Sequence, residues 1–192
     1  MIKINLPTDE AAIRQLNVGD EISICGLIVT ARDAAHKVMI EQWPKFVDPL
    51  IRNGAIYHCG PVMKKTGKTW KAIAAGPTTS IREEPYQASV ISHYKVRLII
   101  GKGGMGDKTL AACKKLGAVY VHAIGGAAPL IADKIVRVRG VNMLDDLGIP
   151  EAFWEFEVDD LKGIVTMDSN GQSLHKKILA NSQKQRDKIL GL

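Results

Sequence analysis

Short apolar and β-branched runs alternate along this chain with stretches whose apolar residues recur at helical spacing. Residues 21–30, with Ile22, Ile24, Leu27, Ile28 and Val29, read as a buried strand. Residues 55–58 and 70–75 are shorter strands, stopped by Gly60-Pro61 and Gly76-Pro77. Further strands are predicted at 96–100, 119–121, 135–141, 153–158 and 161–167, the last ended by the turn Asp168-Ser169-Asn170-Gly171. Between them the pattern predicts helices. One is capped by the Thr8 hydroxyl and ends near Asn17, one runs from Asp33 to about Gln42, one spans about 84–94, and one spans 107–116 and closes at Gly117. A lysine-rich amphipathic helix is predicted from about 174 to 190.

Interleaved strands and helices, with several strands adjacent near the end, predict an α/β fold with a mixed sheet rather than a regular βαβ array. No internal repeat, low-complexity segment or long linker divides the 192 residues, so one domain over 1–192 is expected, with a helical tail from about 174. A hydrophobic content of 46% is enough for a real core, and the formal charge of +6 favours an anionic partner. That charge does not single out nucleic acid; a cleft for small dicarboxylates or an interface with an acidic subunit would serve equally. Cys25, Cys59 and Cys113 are widely spaced with no C-x-x-C pair, which argues against a disulfide framework and against a metal or iron–sulfur site contained in this chain. No apolar run approaches the ~20 residues that span a bilayer, and the first residues lack a signal-like apolar stretch, so a cytoplasmic protein without membrane association is expected.

The loop Gly101-Lys102-Gly103-Gly104 invites two readings. It fits the GXXG clamp of KH domains, which grips a single-stranded nucleic-acid backbone. It equally fits an anion site in which a strand delivers one lysine among glycines. Against the first, Asp107 stands where a KH helix carries an apolar residue, residues 95–100 read as strand, and aromatics are only 5% of the chain, with no aromatic-and-basic stripe. Two other strand ends have the character of the lysine loop. Thr30-Ala31-Arg32-Asp33-Ala34-Ala35-His36 delivers an arginine into a helix start, and Gly76-Pro77-Thr78-Thr79-Ser80-Ile81-Arg82 delivers three hydroxyls and a second arginine. If these ends share one rim, Arg32, Arg82 and Lys102 surround one pocket. Arginine matches a carboxylate with a planar fork and lysine supplies a point charge, so the set suits a small di- or tricarboxylate better than a phosphate ester. Each element taken alone has a plainer role: Arg32 as a surface ion pair, the hydroxyl trio as a helix cap, Lys102 as a solvated loop residue, and His36, His58 and Cys59 as packing residues.

Together the segments resemble the β subunit, equivalent to the C-terminal domain, of class I (iron–sulfur) fumarate hydratase and L-tartrate dehydratase. The matching words are the two just quoted, with Ala55-Ile56-Tyr57-His58-Cys59-Gly60-Pro61, Ile100-Gly101-Lys102-Gly103-Gly104-Met105 and Gly148-Ile149-Pro150-Glu151-Ala152-Phe153-Trp154. They stand in family order and cover roughly residues 15–175. The resemblance implies a swivelling β/β/α domain and a hydro-lyase whose [4Fe-4S] cluster is ligated by a partner α subunit, so that this chain is inactive alone. It implies that Arg32, Arg82 and Lys102 bind substrate carboxylates, with Lys102 and Thr78 in the catalytic machinery. Thr78, a poor base unaided, would act at the carbon undergoing proton transfer with an aspartate of the other subunit. The cluster's open iron would serve as Lewis acid toward the departing hydroxyl. Reversible hydration of fumarate to (S)-malate is the leading reading, L(+)-tartrate dehydration the near alternative, and a KH-like RNA-binding protein the alternative from another class. Glu83-Glu84 follow Arg82 where the family commonly has methionine, and both carboxylates are expected to point away from the anion site.

Overall fold

A computed structural model describes residues 1–191. The strands are β1 (Ile2–Asn5), β2 (Glu21–Thr30), β3 (Ala55–Tyr57), β4 (Val62–Thr66), β5 (Thr69–Ala74), β6 (Leu98–Gly101), β7 (Val119–His122), β8 (Ile135–Asn142) and β9 (Phe153–Met167). The helices are α1 (Glu10–Arg14), α2 (Asp33–Glu41), α3 (Asp48–Ile51), α4 (Glu84–Tyr94), α5 (Asp107–Leu116), α6 (Ala128–Ala132), α7 (Leu144–Leu147) and α8 (Leu174–Leu190). Seven strands form one mixed sheet in the order β1-β2-β3-β6-β7-β9-β8. Because β9 also pairs antiparallel with β2, the strands β2, β3, β6, β7 and β9 close into a ring.

Period-two alternation sorts the side chains of that ring. Ile28, Ala55, Tyr57, Leu98, Ile100, Val119 and Val121 point inward and meet Trp154, Phe156 and Val165 of β9. Their neighbours Val29 and Ile56 point outward and are covered by α2, α3 and α4. Ile99 and Tyr120 are covered by Ile91 of α4 and by Leu110 and Cys113 of α5. The ring thus separates an internal core from two external layers, and the mixed α/β architecture expected from the sequence is the one observed.

Several local expectations change. Residues 153–158 and 161–167 are one 15-residue strand, not two. The Asp159-Asp160 pair makes a bulge instead of a break: Asp160 has φ 58, and its carboxylate accepts from Ser23 Oγ at 2.8 Å and Lys134 Nζ at 3.2 Å. Asp9, not Thr8, caps α1, its Oδ1 accepting from Ala12 N at 2.8 Å. The lysine-rich β4, mostly exposed and paired only with β5, carries no apolar alternation and was not predicted; neither were β1, α3, α6 and α7. The first turn of α8 packs on the lysine loop: the His175 ring fills the space over Gly104, and Lys176 pairs with Asp107.

Candidate active site

The parallel register aligns three strand ends. Thr30 lies beside Tyr57, and Tyr57 beside Ile100, so β2, β3 and β6 stop at one level and their following loops share one edge of the ring. Those loops carry Arg32, the His58–Gly60 segment and Lys102. The hydroxyl loop is fastened across this edge by backbone hydrogen bonds: Thr78 N donates to His58 O at 2.7 Å, Lys102 N to Thr78 O at 3.2 Å, and Ser80 N to Lys102 O at 3.0 Å. Thr78 and Lys102 are therefore held side by side by main chain alone.

A cavity of about 240 Å³ opens here, lined by Arg32, Thr78, Arg82 and Lys102 together with Asp33 and Glu83. All four residues singled out in the sequence meet in it. The Arg32 side chain lies over Gly60, where a Cβ would stand 2.5 Å from its Nη1, and pairs with Glu151 at 3.4 Å. Glu151 also accepts from Ala34 N at 3.0 Å, joining the start of α2 to the segment before β9. Arg82 Nε donates to Asp33 Oδ1 at 3.0 Å. Lys102 has no carboxylate within ion-pair distance among the described residues, and Thr78 Oγ1 is buried without a hydrogen-bond partner. A buried hydroxyl without a protein partner beside an uncompensated cation is a pairing that an anion would complete.

The two glutamates part company. Glu84 turns away as expected, accepting from Gly106 N at 2.8 Å, Lys108 N at 3.0 Å and Thr109 Oγ1 at 2.6 Å, and so caps α5. Glu83 does not: it is 1% exposed, faces the cavity, and leaves Oε2 without a partner. Burial pushes its carboxyl up to about 8, reinforced by Asp33 and Glu151 and opposed by Arg82 and Arg32. Sequence reasoning missed its orientation because nothing in Arg82-Glu83-Glu84 reveals that the first carboxylate lies in a tight 3₁₀ turn, Ser80–Glu83, packed toward the site.

A buried polar network underlies the floor. Gln87 on α4 faces His36 Nε2 at 3.0 Å and His58 Nε2 at 2.9 Å; His58 Nδ1 meets Ser80 Oγ at 2.9 Å, and Tyr120 OH donates to the same oxygen at 2.8 Å. His36 Nδ1 lies 3.0 Å from the Arg32 carbonyl, which can only accept, so the proton of a neutral ring sits on Nδ1 and Nε2 must accept. The Gln87 amide satisfies both rings when its NH₂ group, with two N–H bonds, faces the two Nε2 atoms. Burial holds both imidazoles below the ordinary histidine range, His58 well below it, with His36 adding to the effect at His58. His36 and His58 are thus neutral supports of the site, the plainer of the two roles the sequence allowed.

This chain's residues do not fit an iron–sulfur cluster. Cys25 sits on β2 with Sγ 3.1 Å from Asp159, while burial raises the thiols of Cys59 and Cys113, the latter to about 12. Among the described residues no three His, Cys, Asp or Glu side chains gather to hold a metal, and no helix is long and apolar enough to cross a membrane. The Gly101–Gly104 loop follows a strand, and the Lys102 backbone is already paired to Thr78 and Ser80, which leaves the KH reading without its helix–loop–helix setting.

A ring-shaped mixed sheet with Arg32, Arg82 and Lys102 gathered around one cavity at its edge defines an α/β domain of mixed-sheet type with a cationic pocket. The family model described as Fumarase C-terminus matches residues 1–178, and the chain belongs to that family. Over 184 residues it is 50% identical to a putative fumarate hydratase class I of Geobacillus stearothermophilus, covering 95% of this chain but only 35% of that protein. It is 39% identical to a putative L(+)-tartrate dehydratase subunit beta of Methanocaldococcus jannaschii, covering 94% of each. It is 35% identical to the L(+)-tartrate dehydratase subunit beta of Escherichia coli, over 97% of this chain and 92% of that one.

Proposed function

We propose that this chain is the β subunit of a two-subunit, cytoplasmic iron–sulfur fumarate hydratase, catalysing reversible addition of water to fumarate. The observation that carries the reading is the meeting of Arg32, Arg82 and Lys102 with the unpartnered Thr78 hydroxyl in one cavity. In this proposal the arginines hold the substrate carboxylates by their planar forks, and Lys102 places its charge where negative charge grows as the C3 proton leaves. Thr78 Oγ1 stands at that carbon. Among the described residues no carboxylate of this chain hydrogen-bonds to Thr78, so its proton acceptor is assigned to an acidic residue of the α subunit. The [4Fe-4S] cluster, which supplies Lewis acidity in this reaction class, is likewise assigned to the partner, since the thiols here do not suit it.

L(+)-tartrate dehydration is the second reading, favoured by the relatives that match over nine tenths of their own length and carry that name. Anaerobic mixing of this chain with its cluster-bearing partner decides between the two. Fumarate hydration that requires both polypeptides supports the proposal, and turnover of tartrate with fumarate inert moves the assignment to the second reading. Activity from this chain alone would refute both.

A further inference from the structure

The cavity wall carries charges of both signs, and their balance depends on one proton. Asp33 offsets Arg82 at 3.0 Å and Glu151 offsets Arg32 at 3.4 Å, which leaves Lys102 as the uncompensated charge. Glu83 faces the same space from the turn before α4. Charged or titratable groups surround it: Arg32 after β2, Asp33 and His36 on α2, Arg82 on its own turn and Glu151 before β9, while α4, packed on the same turn, directs Glu84 away to the start of α5. His36 is the nearest to its orphaned Oε2, at 3.7 Å from Nδ1, but that ring is neutral and its Nδ1–H is taken by the Arg32 carbonyl. A glutamate ionised in this position would be a buried anion with no donor on Oε2, facing Asp33 and Glu151, and it would cancel the charge of Lys102.

We propose that Glu83 is a further substrate-selecting residue of this site: a neutral acid in the binding-competent enzyme, whose ionisation closes the cavity to dianions. With its proton in place the wall, counted with the carboxylates paired to its arginines, has a net positive charge. Without it the wall is neutral overall and presents a third carboxylate to the incoming dicarboxylate. Burial, with Asp33 and Glu151 nearby, pushes the Glu83 carboxyl up to about 8, so the effect is expected in mildly alkaline solution. The inference rests on the dicarboxylate reading for its kinetic consequence, while the protonation of Glu83 can be read without any substrate.

Two measurements test it. The reconstituted enzyme is assayed with fumarate and with tartrate between about pH 7 and 9.5, wild type against Glu83→Gln. Wild-type KM should climb by about tenfold per pH unit above the Glu83 transition, while the Glu83→Gln KM stays level over the same range. Equal alkaline rises in both enzymes would overturn the proposal. In parallel, carbon-13 NMR of the full chain labelled at the glutamate carboxyls should show one resonance titrating near pH 8 that is missing in Glu83→Gln, and every glutamate titrating below about pH 5.5 would likewise overturn it. If neither substrate turns over at any pH while the NMR transition is present, the dicarboxylate reading fails and the protonated Glu83 stands.

Discussion

Replacing Gly101 by alanine tests how the floor of the cavity is held. A Cβ at this position would overlap Ser80 Oγ and stand 3.0 Å from Tyr120 OH and 3.3 Å from His58 Nδ1. Gly101 is the last residue of β6, with no left-handed φ to strain, so the cost is steric and polar. Ser80 would have to swing away, leaving His58 Nδ1 and Tyr120 OH without their common partner, and all three residues have 0% exposure. Each buried polar group left unpaired costs about 1–3 kcal/mol, so Gly101→Ala should destabilise the chain by about 4 kcal/mol. That is a large part of the stability of an ordinary domain, about 5–15 kcal/mol. Ser80→Ala orphans the same two groups and should cost about as much. The double variant relieves the overlap and should cost little more than either single change, a coupling of about 4 kcal/mol in a urea-denaturation cycle. Additive losses, or a Gly101→Ala midpoint equal to wild type, would refute the network account.

Lys102→Ala and Arg82→Ala should each lower kcat/KM of the assembled enzyme by about 10²–10³-fold or more without dissociating it, and near-normal kinetics in either would remove that residue from the site. Gly60→Ala puts a methyl 2.5 Å from Arg32 Nη1 and 3.0 Å from the Pro150 carbonyl; expelling the guanidinium should raise KM at least about tenfold, against an unchanged KM if Arg32 does not bind substrate. Glu83 also predicts a pH dependence of stability. Its folded value of about 8 exceeds the ordinary 4.5, so the folded state holds the proton longer and stability declines as pH rises between those values, with the full loss present above pH 8. The shift sets a ceiling of about 5 kcal/mol, and relaxation of the protein around the buried charge reduces the expected loss to about 2–3 kcal/mol. Urea midpoints at about pH 5.5 and pH 8.5 should diverge in wild type and converge in Glu83→Gln.

The strand at Glu21–Thr30 and the helix at Asp107–Leu116 were legible to the residue, and the helices at Glu84–Tyr94 and Leu174–Leu190 approximately, because apolar runs or helical spacing there are set off by punctuating Gly or Pro nearby. The meeting of Arg32, Thr78, Arg82 and Lys102 was legible as a hypothesis, since each follows a strand end; parallel pairing aligns the ends that carry Arg32 and Lys102, whereas the Thr78–Arg82 loop, leaving the antiparallel β4–β5 pair, is brought to that edge by backbone hydrogen bonds. Closure of the ring was not, because it depends on one long strand whose Asp159-Asp160 bulge resembles a loop in sequence. The roles of Glu83, Glu151, Gln87 and Gly60 were also hidden. Each acts through a neighbour distant in the chain, and local pattern holds no information about which of two adjacent carboxylates turns inward.

A structure of the assembled enzyme with bound dicarboxylate tests the central claim most directly. The account predicts substrate carboxylate oxygens within hydrogen-bond distance of the Arg32 or Arg82 guanidinium and of Lys102 Nζ, with Thr78 Oγ1 against the carbon that exchanges its proton. A dicarboxylate bound wholly by the partner subunit, with this cavity holding only water, would contradict it.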